Sequence, residues 1–273
     1  MKSDFGIIYY TQFLITCFNL LQAFFHSAAR NFNYHDFHSL ILMAICDAKY
    51  RFIAVDFGAS GRRGDGNVFH FCPFGERLRK SRLNIPPPCP ADGFNPDQDV
   101  PFSIVGDAAF SGNRGIIAPI KGRFRPDDEV IFNYRVSRAR RVIENAFGIL
   151  VARFLVLRSR ILGRRALVKS IVLACTALHN FHLLEEESIP PKSRRYNSEG
   201  FADRVMRNGR LQEGRWRNEQ PLKEEKVLHD LKKEVYVVNG LGKPKHNLTC
   251  EEVKEMFLDY FVDNPVPWQW QLI

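Results

Sequence analysis

The amino-acid sequence predicts an α/β fold, and three observations carry that prediction. Apolar runs of strand length are separated by tight turns, a 3.6-residue apolar periodicity marks one long helix beyond them, and a second apolar helix follows. At 273 residues with 45% hydrophobic content, the chain is long enough for one core with appendages or for two small domains.

The elements follow in chain order. Phe5 to Ala29 carries no charged residue and is rich in Phe, Ile, Leu and Tyr, so by length it resembles a signal peptide or a membrane span. Thr11, Gln12, Thr16, Asn19 and Gln22 interrupt the run and Asp4 precedes it, which favours a leading helix or leader segment over residues 1–30. Ser39–Cys46 and Tyr50–Phe57 are strand-length runs separated by Asp47-Ala48-Lys49, and so tight a connection predicts an antiparallel pair. Gly58, Gly61, Gly64 and Gly66 break regular structure around Asp65, and a short helix is expected within 68–82. Five prolines between Leu83 and Val100 mark a loop or insertion. A third strand, Pro101–Gly106, delivers Asp107 at its carboxyl end, and Gly115–Ile120 reads as a fourth.

Ala139, Val142, Ile143, Ala146, Phe147, Leu150, Phe154 and Leu157 recur every three or four residues and define the buried stripe of the long helix. Ser137, Arg140, Arg141, Glu144 and Gly148 fall on a different side. A second helix over about 167–184 is apolar on much of its circumference, which predicts packing on the sheet. Residues 188–226 are polar and read as a tail or a segment draped over the domain. Helical patterns return over 227–238 and 249–261, the latter opened by a capping box from Thr249 to Glu252.

The formal charge of +9 and pI near 9.3 point to a polyanionic partner, nucleic acid or an anionic membrane. The charge is concentrated: Lys121 to Arg165 holds twelve Lys/Arg against four acidic residues. The six cysteines form no C-x-x-C pair, which argues against a zinc finger or disulfide framework and for reduced thiols. His179 and His182 are spaced to share a helix face as ligands, but without acidic or Cys neighbours a structural role is the commoner outcome.

Carboxylates at strand ends and on adjoining helices are the ligand types that hold Mg²⁺ or Mn²⁺ for phosphodiester cleavage, because hard divalent ions prefer charged oxygens. Asp107 and Glu144 are the candidates. The plain alternatives are that Glu144 pairs with Arg140 or Arg141 on its own helix, worth about 0.2–0.5 kcal/mol, and that Asp107 merely ends a strand.

Longer motifs add a family. Val105-Gly106-Asp107-Ala108-Ala109-Phe110, the run from Asn133-Tyr134-Arg135 through Glu144-Asn145-Ala146-Phe147-Gly148, and Ala177-Leu178-His179-Asn180-Phe181 closely resemble the PIF/Harbinger class of DDE transposases and the nucleases derived from them. The segment Asp56–Phe69, Gly214-Arg215-Trp216-Arg217, Asp259-Tyr260-Phe261 and Val266-Pro267-Trp268-Gln269 fit as well, so the similarity runs from about Asn31 to the carboxyl terminus. The resemblance implies an RNase H-like mixed β-sheet flanked by helices over 31–187, with 83–100 as an insertion, 188–226 as a linker and 227–273 as a helical extension. It implies divalent-metal DNA cleavage, with Asp107 and Glu144 as the second and third acids of a triad and Asp65 as a further metal-associated position. Arg138, Arg140 and Arg141 would contact phosphate. It also implies a nuclear protein acting on DNA, with a separate DNA-binding protein as a candidate partner; membrane association is the alternative if residues 5–29 insert. The chain departs from the family at its start. No Asp-Gly precedes the Phe32–Ser39 segment, so the first catalytic aspartate is missing, an intact first strand is not expected, and the sequence reads as an amino-terminally truncated or decayed relative.

Overall fold

A computed structural model describes residues 13–23, 39–60, 69–80, 82, 85–95, 97–113, 115–158, 161–206, 208–219, 248–266 and 268–269. Asp65 and the expected helix at 227–238 lie outside the described residues.

Phe13–Ala23 form β1, an eleven-residue strand at the centre of the sheet, where the sequence reading expected no intact strand. Strands flanked on both sides are often uninterrupted apolar runs, and an apolar run cannot be separated from a helix by periodicity alone. Length misled the assignment. β2 (Ser39–Cys46) pairs antiparallel with β1 across eight residue pairs, and β3 (Phe52–Ser60) pairs antiparallel with β2. On the other side β4 (Ile104–Val105) runs parallel to β1, and β5 (Ile116–Ile117) runs parallel to β4, giving the order β3-β2-β1-β4-β5. β6 (Ile161–Leu162) joins the far end of β1 in parallel.

The β2–β3 turn is tight because Asp47 organises it: Oδ1 accepts from the backbone N–H of Lys49 and Arg51, and Oδ2 accepts from Arg51 Nε at 2.7 Å. Tyr50 adopts φ 69°, a left-handed conformation that costs a non-glycine residue energy and that the surrounding contacts hold in place. α1 spans Pro73–Arg79, inside the 68–82 stretch where a short helix is expected, and in the insertion that follows a bridge joins Cys89 to Val100.

The long helix, α2, spans Asp127–Arg153 and buries Val136, Ala139, Ile143, Ala146 and Leu150 in the same core as β2, β4 and β5. It stops before the predicted stripe does. Phe154 leaves helical geometry at φ −107°, ψ 86°, and Leu155–Leu157 form a 3₁₀ turn. The Arg158 guanidinium then donates to the carbonyls of Val151 and Ala152, closing off the helix end. The next helix, α3 (Arg165–Glu185), buries one stripe, Val168, Val172, Cys175, Thr176 and His179, and exposes Leu167, Leu178, Phe181 and Leu184. Its packing is therefore one-sided, although by length and composition it could cross a membrane. The last described helix, α4 (Cys250–Asp263), begins with the expected capping box, Thr249 and Glu252 each bonding the other's backbone N–H.

Residues 188–219 lie over α2 and are anchored by their own apolar cluster, in which Tyr196, Phe201 and Trp216 are buried against Ile149 and Ala152. A two-stranded ribbon, β7 (Arg204–Val205) with β8 (Leu211–Gln212), sits within this segment.

Candidate active site

Asp107 follows β4 by two residues and caps a single 3₁₀ turn, Ala108–Phe110. Its Oδ1 accepts from the Ala108 N–H at 2.6 Å, which orients the carboxylate at the partly exposed end of the strand. Along β1 the register Phe13↔Ile104 and Leu14↔Val105, continued two steps, places Thr16 level with Asp107. β1 contains no Asp or Glu.

Glu144 lies near the middle of α2, about one-fifth exposed, with Oε1 at 2.7 Å from Arg140 Nη1. The ion pair weighed as the plain alternative is present. Its order, with the cation amino-terminal to the acid, is the less favourable one along a helix. A second cation is within electrostatic reach: Arg217's guanidinium is kept protonated first by its hydrogen bond to Asp203, and also by the charges of Glu213 and Glu144.

The three arginines expected at phosphate occupy different surroundings. Arg138 is buried, its guanidinium 5.0 Å from the centroid of the Trp268 ring, while Arg140 is tied to Glu144 and Arg141 is partly exposed. Arg135, also buried, donates to Gln269 Oε1 at 2.9 Å and lies over Phe261; burial pulls its pKa down to about 10.

Three asparagines within the family-like motifs escaped the sequence reading as functional parts, and each binds both polar groups of one distant residue's backbone. Asn133 binds the N–H and C=O of Ile120, Asn145 those of Asp203, and Asn180 those of Phe52, all at 2.6–3.2 Å. Asn145 Oδ1 also accepts from Trp216 Nε1 at 2.9 Å, beside Gly148, whose bare Cα lets the indole approach. Asparagine is a poor residue for a helix interior, so its presence in the middle of two long helices was the signal available in sequence.

His179 is fully buried and takes the structural role. Its Nε2 donates to the Tyr50 carbonyl at 2.9 Å, which leaves Nδ1 to accept from the Tyr196 hydroxyl at 2.8 Å. His182 stacks on Tyr196. Burial drives the His179 pKa down to about 4.

For a divalent ion, Asp107 and Glu144 supply the hard oxygen donors the chemistry requires, but among the described residues no three His, Cys, Asp or Glu side chains gather into a metal cluster. By donor type Asp107 and Glu144 suit such an ion, and Phe13–Ala23 of β1 adds no carboxylate to them.

A mixed α/β fold with a carboxylate at the end of a parallel strand and another on the long helix packed over that sheet belongs to a class compatible with DDE-type nucleases. The DDE superfamily endonuclease family model matches residues 17–180, and the chain belongs to that family. No curated protein and no solved structure matches it.

Proposed function

We propose that the chain is a PIF/Harbinger-type, transposase-derived nuclease with an RNase H-like sheet, acting on DNA phosphodiesters with Mg²⁺ or Mn²⁺. The observation that carries this reading is the position of Asp107 at the carboxyl end of β4, next to β1, in a sheet covered by the helix that bears Glu144. Asp107, oriented by the Ala108 N–H, and Glu144, once released from Arg140, would hold the ion, with Asp65 as a further ligand. A divalent ion held there supplies Lewis-acid activation of the phosphate and of the attacking water. Arg140, freed from Glu144, and Arg141 would meet the DNA backbone; Arg138 acts from within, supporting α2 through Trp268. DNA in the nucleus, with a separate DNA-binding protein supplying target choice, completes the proposal.

One observation favours a second reading, a domesticated relative that binds DNA or protein without cutting. The resemblance calls for an aspartate on the first strand, and β1 carries none; its register with β4, continued two residues, brings Thr16 level with Asp107. Supercoiled plasmid incubated with the protein and Mg²⁺ or Mn²⁺ separates the two. The nuclease reading expects nicking that Glu144→Gln abolishes with an unchanged circular dichroism spectrum. Absence of nicking, with salt-sensitive DNA binding that survives Glu144→Gln, establishes the second.

A further inference from the structure

Phe124 is 92% exposed, more than any other large apolar side chain among the described residues. An isolated exposed apolar residue is ordinary on a protein surface, but this one lies between Arg123 and Arg125 in a loop, Lys121–Arg125, exposed at every residue. The loop is also well placed. It leaves β5, the parallel neighbour of the strand that ends at Asp107, and Ile120 at its root is clamped to α2 by Asn133 through both backbone groups. Lys121 lines a cleft of about 180 Å³ together with Ser111 and Gly112, the turn that follows Asp107's own 3₁₀ helix. The loop base and the Asp107 turn are two walls of one depression. Arg125 donates back to the Gly122 carbonyl, which shapes the loop internally.

Charge then selects the kind of contact. Lys121, Arg123 and Arg125 are followed by Asp127, Asp128 and Glu129 in the first turn of α2, so the three positive charges of the loop are matched by three negative ones, and the acids make the helix start a poor seat for phosphate. Counted together with that first turn the loop carries no net charge, so the feature that sets it apart is an aromatic ring between two arginines in sequence.

We propose that Phe124, flanked by Arg123 and Arg125, is a stacking site for an unpaired nucleobase of DNA bound across the Asp107 end of the sheet. The inference rests on the DNA reading of the preceding subsection and adds a base-contacting element to it. Stacking on an aromatic ring requires no particular base, so the site would favour strand ends, gaps or bulges over blunt duplex, whatever their sequence.

Binding of a duplex with a single-stranded overhang containing 2-aminopurine, compared with blunt duplex, tests it. Wild-type protein is expected to bind the overhang more tightly and to quench the 2-aminopurine. Phe124→Ala should weaken overhang binding by about five- to 150-fold, the equivalent of about 1–3 kcal/mol of stacking, and abolish the quench. Its salt dependence and its affinity for blunt duplex should stay as in wild type, and Phe124→Trp should retain the preference. Overhang binding and quenching unchanged in Phe124→Ala, with DNA binding intact, would overturn the inference and leave the DNA reading standing. Failure of the wild-type protein to bind either DNA overturns both.

Discussion

His179 shows at the scale of one residue how a motif histidine serves the frame. Because the Tyr50 carbonyl can only accept, Nε2 must carry the proton, and the Tyr196 hydroxyl then donates to Nδ1; a second proton on the ring would break that bond inside the core. The folded pKa of about 4 lies below the ordinary value of 6.5, so unfolded chains take up a proton where folded ones do not. The stability this provides is complete above pH 6.5 and is lost as pH falls towards 4, by about 3 kcal/mol at the end of that window. Glutamine can donate to Tyr50 and accept from Tyr196 without titrating. Urea denaturation from pH 7.5 to 4 should therefore show a shallower decline for His179→Gln than for wild type; parallel curves would refute the assignment. The same residue scale explains Glu186, whose carboxylate burial would push up, yet whose pKa is lowered because the N–H groups of Arg195, Tyr196 and Asn197 all donate to it.

At the scale of elements, α2 is the part of the fold most fully written in the sequence, because its periodic stripe is a local property of one segment. Its partners were not legible. The Asn133, Asn145 and Asn180 clamps reach residues 13, 58 and 128 positions away, and no local pattern encodes such distances. β1 was misread for the opposite reason, since an uncharged run satisfies several structures at once. Two tryptophans fix the ends of the chain's later segments to α2: Trp268 donates to the Tyr134 hydroxyl and lies over Arg138, while Trp216 packs on Gly148 and donates to Asn145. Gly148 decides a sign. In an exposed helix interior, glycine to alanine stabilises by about 1 kcal/mol. Here a Cβ would lie 2.4–2.6 Å from three atoms of the Trp216 indole, whose position is already set by Asn145 and by the Arg217–Asp203 pair beside it. Gly148→Ala is expected to lower stability by about 1–3 kcal/mol through overpacking, with a changed near-ultraviolet tryptophan signal; a rise in melting temperature would show that the 188–219 segment yields freely.

At the scale of the whole molecule, sheet order and register give the proposed metal site a position on β1 that can be tested. The proposed nuclease reading asks for an aspartate on the first strand, and Phe13–Ala23 carries none; the strand pairing offers a level on the sheet at which to test for one. The parallel register that matches Phe13 to Ile104 and Leu14 to Val105, continued two residues beyond the end of β4, brings Thr16 to the level of Asp107. Two carboxylates on neighbouring strands at one level are the arrangement in which a single cation can bridge both, and in which the negative charges would repel without one. Thr16→Asp is therefore expected to destabilise the metal-free protein and to regain stability on addition of Mn²⁺, a rise in melting temperature that wild type does not match. With Glu144 and Asp107 intact, the same variant should nick supercoiled DNA faster than wild type in Mn²⁺, and the additional Glu144→Gln substitution should cancel that gain. If Thr16→Asp gains neither Mn²⁺-dependent stability nor nicking while remaining folded, then β1 does not face the site that Asp107 and Glu144 would form, and the reading of these two carboxylates as a divided metal centre falls with it.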